Sequence, residues 1–517
     1  MKKIILPLVA VVLLTQGCLR DTGNYVYRDI NELQFVGIRL GANAAVDTIV
    51  GRTLANPILV EDIQQALFVS PVINTSMDTE DNLRFEWIDD SAGIRVAVSH
   101  SRDLVDFRAP ARWIGSRSIT FRIEDTVSRK ILDTRVFFNV VNPFQAGWAV
   151  LQEDNAGYTR LDMISWLPGV EYRQFADVLT GFPRQRGARQ IRVFHDGIMS
   201  AAFGGTAVYI VTDDYDVYRI NRSTFEWVGE EGHLRNAFLS PTFFPENTRV
   251  SSFPRGGSGH AMLNMDGSLF YFNQTVNQFF SVELNITEDR ERFRASPHIS
   301  YRVMEFLIFD EDSQSFYFMH PHNQRWARRI MTTDTIVSFR NMGMDLVFSE
   351  SGRIGGGGVQ NRVDWSYNVL KDADGDFWVL VVSMGGWGQQ FWRRMTDPSA
   401  NPPAGFNENS LMAVGGEFVN RQMYVAVGRH IFRYDVQVGS FAQILELPPT
   451  ETITFMGFTR DDLLTVASFC SATNVGTVAN YEIPTAVSPL TIYQDTRTGQ
   501  LHRWTGFGRI GYILRLN

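Results

Sequence analysis

Residues 264–272 read NMDGSLFYF, a polar turn with Asp-Gly at its centre followed by an aromatic strand pattern. The same order recurs along the C-terminal two thirds of the sequence. The further copies are TDDYDVYRI (212–220), EDSQSFYFM (311–319), DADGDFWVL (372–380), VGRHIFRYD (427–435), TRTGQLHRW (496–504) and a weaker, earlier EDNAGYTRL (153–161). Their spacing of roughly 45 to 70 residues is typical of one four-stranded sheet with variable loops.

Seven such copies predict a β-propeller of about seven blades. A small sheet that is apolar on both faces cannot bury them alone, whereas radial stacking buries both. The Asp or Asn and Gly of the turn supply the positive-φ residue that a tight hairpin needs. Two further β-sandwich domains are the alternative architecture, which explains the aromatic residues but not the recurring unit.

The composition favours an all-β protein throughout, because Phe (38), Tyr (16) and Trp (11) are frequent and amphipathic helical patterns are scarce. Upstream of the repeats, apolar residues alternate with period two around Trp87, Phe121 and Phe138. Short alternating strands of this kind predict an immunoglobulin- or PKD-like β-sandwich over residues 25–143, followed by the propeller-like domain over 144–517. Whether residues 25–50 form its first strands or a linker stays open.

The N-terminus has the layout of an export signal. Two lysines precede an apolar run over residues 4–14, which is too short to span a bilayer, and Gly17 stands directly before Cys18. This order resembles a bacterial lipobox and predicts a signal peptide over 1–17, lipidation at Cys18 and a tether over 18–24. An ordinary signal peptide with an incidental cysteine is the alternative. Acyl chains on Cys18 would anchor the protein to a membrane surface.

Charge, cysteine content and hydropathy indicate which partners, cross-links and membrane attachments to expect. The net charge is -8 with interspersed charges, which argues against a nucleic-acid partner. Cys470 is the only thiol beyond Cys18, so we expect no disulfide within the exported body. No later segment has the roughly 18 consecutive apolar residues of a spanning helix, and the lipid is the expected membrane attachment.

Several short motifs are similar to those of the PKD-like-domain lipoproteins of gut Gram-negative bacteria, which combine a sandwich with a propeller-like region. The matching residues are Cys18, Gly23-Asn24-Tyr25, Asp29-Ile30-Asn31-Glu32, Phe85-Glu86-Trp87 and Gly147-Trp148-Ala149-Val150-Leu151. The resemblance implies a lipid-anchored protein of the outer membrane, exposed at the cell surface. It also implies an accessory role beside TonB-dependent importers and starch-utilisation-type binding lipoproteins, which take up glycans or peptides. It supplies no catalytic residue.

Aromatic residues near two glycine-rich stretches are the candidate ligand-binding residues. Trp365 follows a run of four glycines, and Trp387, Trp392 and Arg393 lie in MGGWGQQFWRRM. If these stretches are loops, Trp can stack on a sugar ring or peptide side chain and Arg can pair with a carboxylate. Alternatively, the same aromatic residues fill the space between blades.

The segment 238–260 is a second candidate surface. Its Phe243, Phe244 and Phe253 would be unfavourable if exposed to water, which predicts contact with a partner protein or a ligand.

The motif DADGD offers Asp372, Asp374 and Asp376 as weak calcium ligands. The twelfth position of the loop is Ser383 rather than an acid, so a hairpin turn is the favoured interpretation and we expect no cofactor. No pair among the 56 acidic residues is singled out as catalytic. The sequence therefore predicts a non-enzymatic binding component of a nutrient-uptake assembly. The alternative is a propeller-type enzyme acting on glycosides or peptides, with carboxylates in the central funnel.

Overall fold

A computed structural model describes most of the chain. The described residues are 31–61, 66–77, 80–90, 95–110, 113–141, 143–144, 146–166, 172–194, 207–213, 217–222, 224–240, 244, 249–252, 261–273, 278–279, 282–302, 305–320, 326–331, 336–354, 363–384, 387–415, 421–460, 463–483 and 489–516. In these ranges strands dominate and α-helices are absent. Short 3-10 helices are formed by Glu80–Asn82, Glu230–Gly232, Leu234–Ala237 and Pro398–Ala400. The predicted all-β class is confirmed.

The chain divides into two compact units, Met1–Asn142 and Pro143–Asn517, called here the first and second unit. A helix with the length and hydropathy of a membrane span is not found in the described part of either unit.

The first unit contains two sheets. Its strands are β1 (Leu33–Arg39), β2 (Ile58–Val60), β3 (Leu67–Thr75), β4 (Leu83–Asp89), β5 (Val96–Ser99), β6 (Leu104–Phe107), β7 (Gly115–Asp125) and β8 (Ile131–Val140). One sheet has the order β1-β3-β6 and the other β2-β8-β7-β4-β5. Residues 33–39 therefore form a strand of this unit rather than a linker.

One hydrophobic core joins the two sheets of the first unit. Val69 of the smaller sheet and Trp87, Phe121 and Phe138 of the larger one are all buried in it. The period-two alternation correctly predicted these inward positions of β4, β7 and β8. The alternating apolar residues of β5 do not follow this pattern, since Val96 is exposed.

The second unit is a succession of seven antiparallel sheets in the described residues. Its strands are β9 (Gly147–Glu153), β10 (Thr159–Trp166), β11 (Tyr172–Phe175), β12 (Gln190–Phe194), β13 (Ala207–Val211), β14 (Tyr218–Asn221), β15 (Val250–Ser252), β16 (Ala261–Met265), β17 (Ser268–Asn273), β18 (Gln278–Phe279), β19 (Ser300–Arg302), β20 (Glu305–Asp310), β21 (Ser315–Met319), β22 (Arg328–Arg329), β23 (Met344–Ile354), β24 (Val363–Asp372), β25 (Phe377–Met384), β26 (Gln389–Arg394), β27 (Leu411–Val414), β28 (Gln422–Val427), β29 (His430–Asp435), β30 (Ser440–Glu446), β31 (Glu451–Arg460), β32 (Leu463–Cys470), β33 (Val475–Glu482), β34 (Thr491–Ile492), β35 (Arg503–Phe507) and β36 (Arg509–Leu516). We number the sheets in chain order: sheet 1 is β9–β11 with β36, sheet 2 is β12–β14, sheet 3 is β15–β18, sheet 4 is β19–β22, sheet 5 is β23–β26, sheet 6 is β27–β30 and sheet 7 is β31–β35.

Sheet 1 contains both ends of the second unit. β36 pairs antiparallel with β9, from Arg509 opposite Glu153 to Leu516 opposite Gly147. Gly511 is required in β36, since a Cβ there would lie 1.7 Å from the Ala188 carbonyl oxygen.

Each sheet of the second unit is covered on both faces. Seven hydrophobic clusters lie between the sheets, one for each pair of successive sheets and one between sheet 7 and sheet 1. For example, Leu307 and Leu380 meet between sheets 4 and 5, and Trp148 and Trp504 meet between sheets 1 and 7. This explains why the strands carry apolar residues on both sides.

The repeated aromatic motif corresponds to β14, β17, β21, β25 and β29, the third strands of sheets 2 to 6, and to β10, which is third in sheet 1 when that sheet is counted from β36. The seventh copy, residues 496–504, leads instead to β35, while the third strand of sheet 7 is β33. The predicted positive-φ turn residues are confirmed at Gly267 (φ 94°) and Gly375 (φ 86°).

Aspartate side chains stabilise many of the turns between strands of the second unit. In each case a carboxylate oxygen accepts the backbone N–H two residues further on, which fixes the start of the turn. The residues are Asp154, Asp310, Asp372, Asp435 and Asp495.

Candidate binding cleft

A cleft of about 450 Å³ lies at one end of the strands of sheet 1, where β9 and β11 begin and β10 and β36 end. The segment that follows β34 closes its side. The lining residues are Ala146, Gly147, Trp148, Trp166, Tyr172, Tyr493, Arg497, Arg515 and Leu516. Four of these nine side chains are aromatic and two are guanidinium groups.

Strand register places the aromatic residues together. Trp166 pairs with Tyr172 across β10 and β11, while Trp148 of β9 stands opposite Ile164 on one side and Arg515 on the other. Gly147 permits this close pairing, because a Cβ at this position would lie 2.0 Å from the Ile164 carbonyl oxygen.

The floor of the cleft is an aromatic cluster between sheets 1 and 7. The rings of Tyr172 and His502 meet edge to face with centroids 4.6 Å apart, and those of Trp148 and Trp504 are 5.5 Å apart. All four side chains are buried. Interlocked rings of this kind hold the lining side chains in fixed positions.

Asp495 organises the polar side of the cleft. Its carboxylate is 2% exposed and accepts the Arg497 backbone N–H at 2.8 Å. It also accepts the Arg497 guanidinium at 3.0 Å and the Tyr172 hydroxyl at 3.3 Å. The guanidinium held in this way lies over the Trp166 ring, with Cζ 4.7 Å from the ring centroid. One carboxylate thus fixes a cation, an indole face and a phenol.

These contacts set the charge of the cleft at neutral pH. The hydrogen bonds from Arg497, above all, hold the pKa of Asp495 well below its usual range. Burial, together with the nearby Asp495 charge, raises the pKa of Tyr172 to about 12. Asp495 is therefore ionised and Tyr172 protonated, and neither exchanges a proton readily near neutrality. Aromatic faces beside fixed hydrogen-bond donors are suited to binding.

The structure places Trp365, Trp392 and Arg393 in strands and Trp387 in the short connection between β25 and β26. Trp365 lies in β24 and packs in the cluster between sheets 5 and 6. Trp387 and Trp392 pack on the other face of the same sheet, against sheet 4. The Trp387 ring is 8% exposed and lies 5.2 Å from that of Phe318.

Arg393 is exposed and donates to the Gln437 carbonyl oxygen at 3.3 Å. The three tryptophans pack between sheets, which is the alternative that the sequence left open. Together with Arg393 they do not form one surface. The prediction of a long loop was wrong for Trp392 and Arg393, because residues 389–394 form an ordinary edge strand, β26.

Of the predicted partner-contact residues, only Phe244 is among the described residues. It is half-buried, with its ring 5.3 Å from that of Phe238 and 5.6 Å from that of His233. Phe243 and Phe253 lie outside the described ranges, as does Cys18.

The aspartates of DADGD hold a hairpin. Asp372 accepts the backbone N–H groups of Asp374 at 3.1 Å and Asp376 at 2.9 Å, and the Trp378 indole N–H at 2.9 Å. The Asp376 carboxylate accepts the Thr396 hydroxyl at 2.8 Å. Within the described ranges, no three His, Cys, Asp or Glu side chains are grouped as metal ligands.

Sequence reasoning did not find the cleft. In the sequence, Gly147-Trp148 belongs to a motif similar to one of the PKD-like lipoproteins, and Arg497 belongs to the repeated turn of residues 496–504. Neither pattern points to a binding site. The two meet because β36 brings the end of the chain back to β9, and no local pattern reports that pairing.

A family model matches the N-terminal part of the chain. Residues 18–182 match the model of the PKD-like family, a span that covers the described strands of the first unit and continues through β9–β11. No curated protein sequence matches the chain.

Solved structures share distant similarity with the chain. A quinoprotein alcohol dehydrogenase-like protein from Bacteroides thetaiotaomicron is 11% identical over 90% of this chain and 98% of its own, with a TM-score of 0.43. PorZ, a surface component of the type-IX secretion system of Porphyromonas gingivalis, is 8% identical over 68% of this chain and 39% of its own, with a TM-score of 0.34. A Listeria monocytogenes protein is 10% identical over 66% of this chain and 94% of its own, with a TM-score of 0.34. Similarity at this level assigns no function to the chain.

Proposed function

We propose that the first unit is a PKD-like β-sandwich and that the second is a closed propeller whose seven sheets are its blades. Two observations support the propeller. Clusters join every pair of successive sheets and also sheet 7 to sheet 1. The last strand, β36, pairs with the first, β9, as in propellers closed by both chain ends.

We further propose that the protein is a non-enzymatic, lipid-anchored component of the cell surface, tethered through Cys18 to the outer membrane. Its role is to bind a glycan or peptide as an accessory to a TonB-dependent importer and its binding lipoprotein. The observation that carries the binding role is the cleft of sheet 1, with its aromatic floor and its guanidinium fixed over Trp166.

The cleft chemistry suits such ligands. The C–H face of a sugar ring or an apolar peptide side chain can pack on the half-buried rings of Trp166 and Tyr493. Arg497 can donate to a hydroxyl or carbonyl oxygen while it keeps its contact with Asp495. Because Asp495 stays ionised and hydrogen-bonded at neutral pH, a general-acid role at this site is disfavoured.

We expect Trp166→Ala to weaken ligand binding at least about tenfold, since it removes one of the two half-buried rings on which the ligand packs and the ring that the Arg497 guanidinium lies over. The wild-type protein is first screened against glycan and peptide arrays, and the affinity of the best ligand is then measured by calorimetry for both proteins. Trp326→Ala is the matched control, because Trp326 is a 43% exposed indole just before β22 of sheet 4, away from the cleft.

Unchanged affinity in Trp166→Ala would contradict the assignment of the cleft as the binding site. Cleavage or modification of an array component by the purified protein would overturn the non-enzymatic role. It would favour the alternative of an enzyme that uses carboxylates in the propeller funnel.

We expect Cys18→Ser to move the protein from the membrane fraction to the soluble fraction, because a serine hydroxyl cannot carry the thioether-linked acyl chains that anchor it. Fractionation of cells followed by immunoblotting measures this, with Cys470→Ser as the matched thiol control. Retention of Cys18→Ser in the outer membrane would refute the lipid anchor.

A further inference from the structure

The stretch PRQRGAR, residues 183–189, carries three exposed arginines between β11 and β12. It passes the end of sheet 1 that lies opposite the cleft, where β9 ends and β10 begins. Its neighbours there include Tyr158, Thr159 and Asp213. The site already proposed for ligand binding contains none of these residues.

Backbone hydrogen bonds hold this stretch in place. The Gln185 carbonyl oxygen accepts the Thr159 N–H at 2.7 Å, and the Arg186 carbonyl oxygen accepts the Asp213 N–H at 2.8 Å. The Thr159 hydroxyl donates to the Gly187 carbonyl oxygen at 3.1 Å. Gly187 has φ 76°, and a Cβ there would lie 2.2 Å from the Asp213 carboxylate. The arginines therefore project from a fixed backbone.

Two of these arginines share one aromatic ring. The guanidinium carbon of Arg184 lies 4.3 Å from the centroid of Tyr158, and that of Arg186 lies 5.4 Å from it. Both cations lie beside the same ring, and an anion that contacts both would offset their mutual repulsion. Among the described residues no carboxylate pairs with Arg184, so its donors are open to such an anion.

Neighbouring charges extend the basic surface. Arg189 and Arg249 both contact the single carboxylate of Asp213, and their side chains are 40% and 37% exposed. The acids beside Tyr158 are engaged by backbone groups. Asp154 accepts the N–H of Tyr158 at 2.9 Å, and Glu153 accepts the N–H of Ala188 at 3.4 Å.

From this arrangement we infer a second binding site, formed by Arg184, Arg186, Arg189 and Arg249, for an extended polyanion that carries sulfate or carboxylate groups, specifically an acidic polysaccharide. The planar guanidinium matches the two oxygens of such groups. Four arginines distributed over the neighbouring ends of sheets 1, 2 and 3 fit a repeating charge better than a single small anion. The chain as a whole has net charge -8, so general attraction of polyanions is not expected.

The test uses heparin as the probe, with binding of the full protein measured by surface plasmon resonance over a series of salt concentrations. We expect salt-sensitive binding that Arg184→Ala/Arg186→Ala weakens at least about tenfold. Arg184→Lys/Arg186→Lys should lose less, since it keeps the charges and removes the planar forks. Arg328→Ala/Arg329→Ala is the charge-matched control in sheet 4, and thermal unfolding verifies that each variant is folded.

Equal heparin binding by wild type and Arg184→Ala/Arg186→Ala overturns the inference, as does an equal loss in the control pair. Displacement of heparin by sodium sulfate beyond that caused by sodium chloride at equal ionic strength shows a site for one small anion and rejects the extended ligand. Arginine-dependent binding to phosphatidylglycerol vesicles without heparin binding assigns the surface to lipid and also rejects it. None of these results depends on Trp166 or on the cleft.

Discussion

Deletion of residues 508–517 is expected to unfold the second unit. The deleted segment contains β36, which forms backbone hydrogen bonds along the edge of β9. It also buries Ile510, Ile513 and Leu516, which are 1%, 2% and 3% exposed, in the clusters on either side of sheet 1. Each buried side chain contributes about 1.5 to 3 kcal/mol, so the loss is comparable to the whole stability of a typical domain, about 5 to 15 kcal/mol.

Circular dichroism during thermal unfolding and limited proteolysis of the truncated protein measure this effect. A milder form of the same test is Ile513→Ala, which should lower the free energy of unfolding by about 2 to 5 kcal/mol because a cavity opens between sheets 7 and 1. Val438→Ala is the control, since Val438 is 70% exposed and its truncation should change stability by less than about 0.5 kcal/mol. A truncated protein that unfolds at the wild-type temperature would refute the closing role of β36.

The repeat in the second unit was predictable because its signals are local. In NMDGSLFYF and DADGDFWVL, the turn residues and the alternation of the following strand lie within nine positions, and both segments form the expected hairpins. The third strand of sheet 7, VGTVANYE, contains one aromatic residue, Tyr481, and the aromatic pattern therefore passed over it in favour of β35.

The cleft was not predictable because its residues come from opposite ends of the unit. Trp148 and Arg497 share a site only after β36 has paired with β9, a contact that depends on every intervening sheet. For the same reason, local sequence wrongly predicted that the rings of Trp387 and Trp392 face solvent. Their sequence neighbours resemble those of a loop, whereas the packing of sheet 4 against sheet 5 buries Trp387 and partly buries Trp392.

Replacement of Asp495 by Asn is expected to disrupt the cleft and destabilise the protein at neutral pH. The buried carboxylate accepts hydrogen bonds from Arg497 and Tyr172, which an amide of the same size cannot reproduce. Loss of hydrogen bonds to a buried charged group typically lowers the free energy of unfolding by about 2 kcal/mol. Released from Asp495, the Arg497 guanidinium also leaves the face of Trp166, so affinity for the cleft ligand should fall along with stability.

The pH dependence distinguishes this role of Asp495 from a simple packing defect. Because its pKa is lower in the folded protein than the value of about 3.9 expected in the unfolded chain, the ionised carboxylate stabilises the fold above that value. This contribution is lost as the pH falls towards the folded-state pKa. Urea unfolding should therefore show a stability difference between wild type and Asp495→Asn that is constant above about pH 5 and shrinks below pH 4. Asp133→Asn is the matched control. Arg122 donates two hydrogen bonds of 2.7 Å to Asp133, just as the Arg497 guanidinium donates two, of 3.0 and 3.3 Å, to Asp495, but Asp133 is 44% exposed, where ion pairs contribute little. A difference for Asp495→Asn that stayed unchanged at pH 3 would mean that the amide disturbs packing rather than removing a charge.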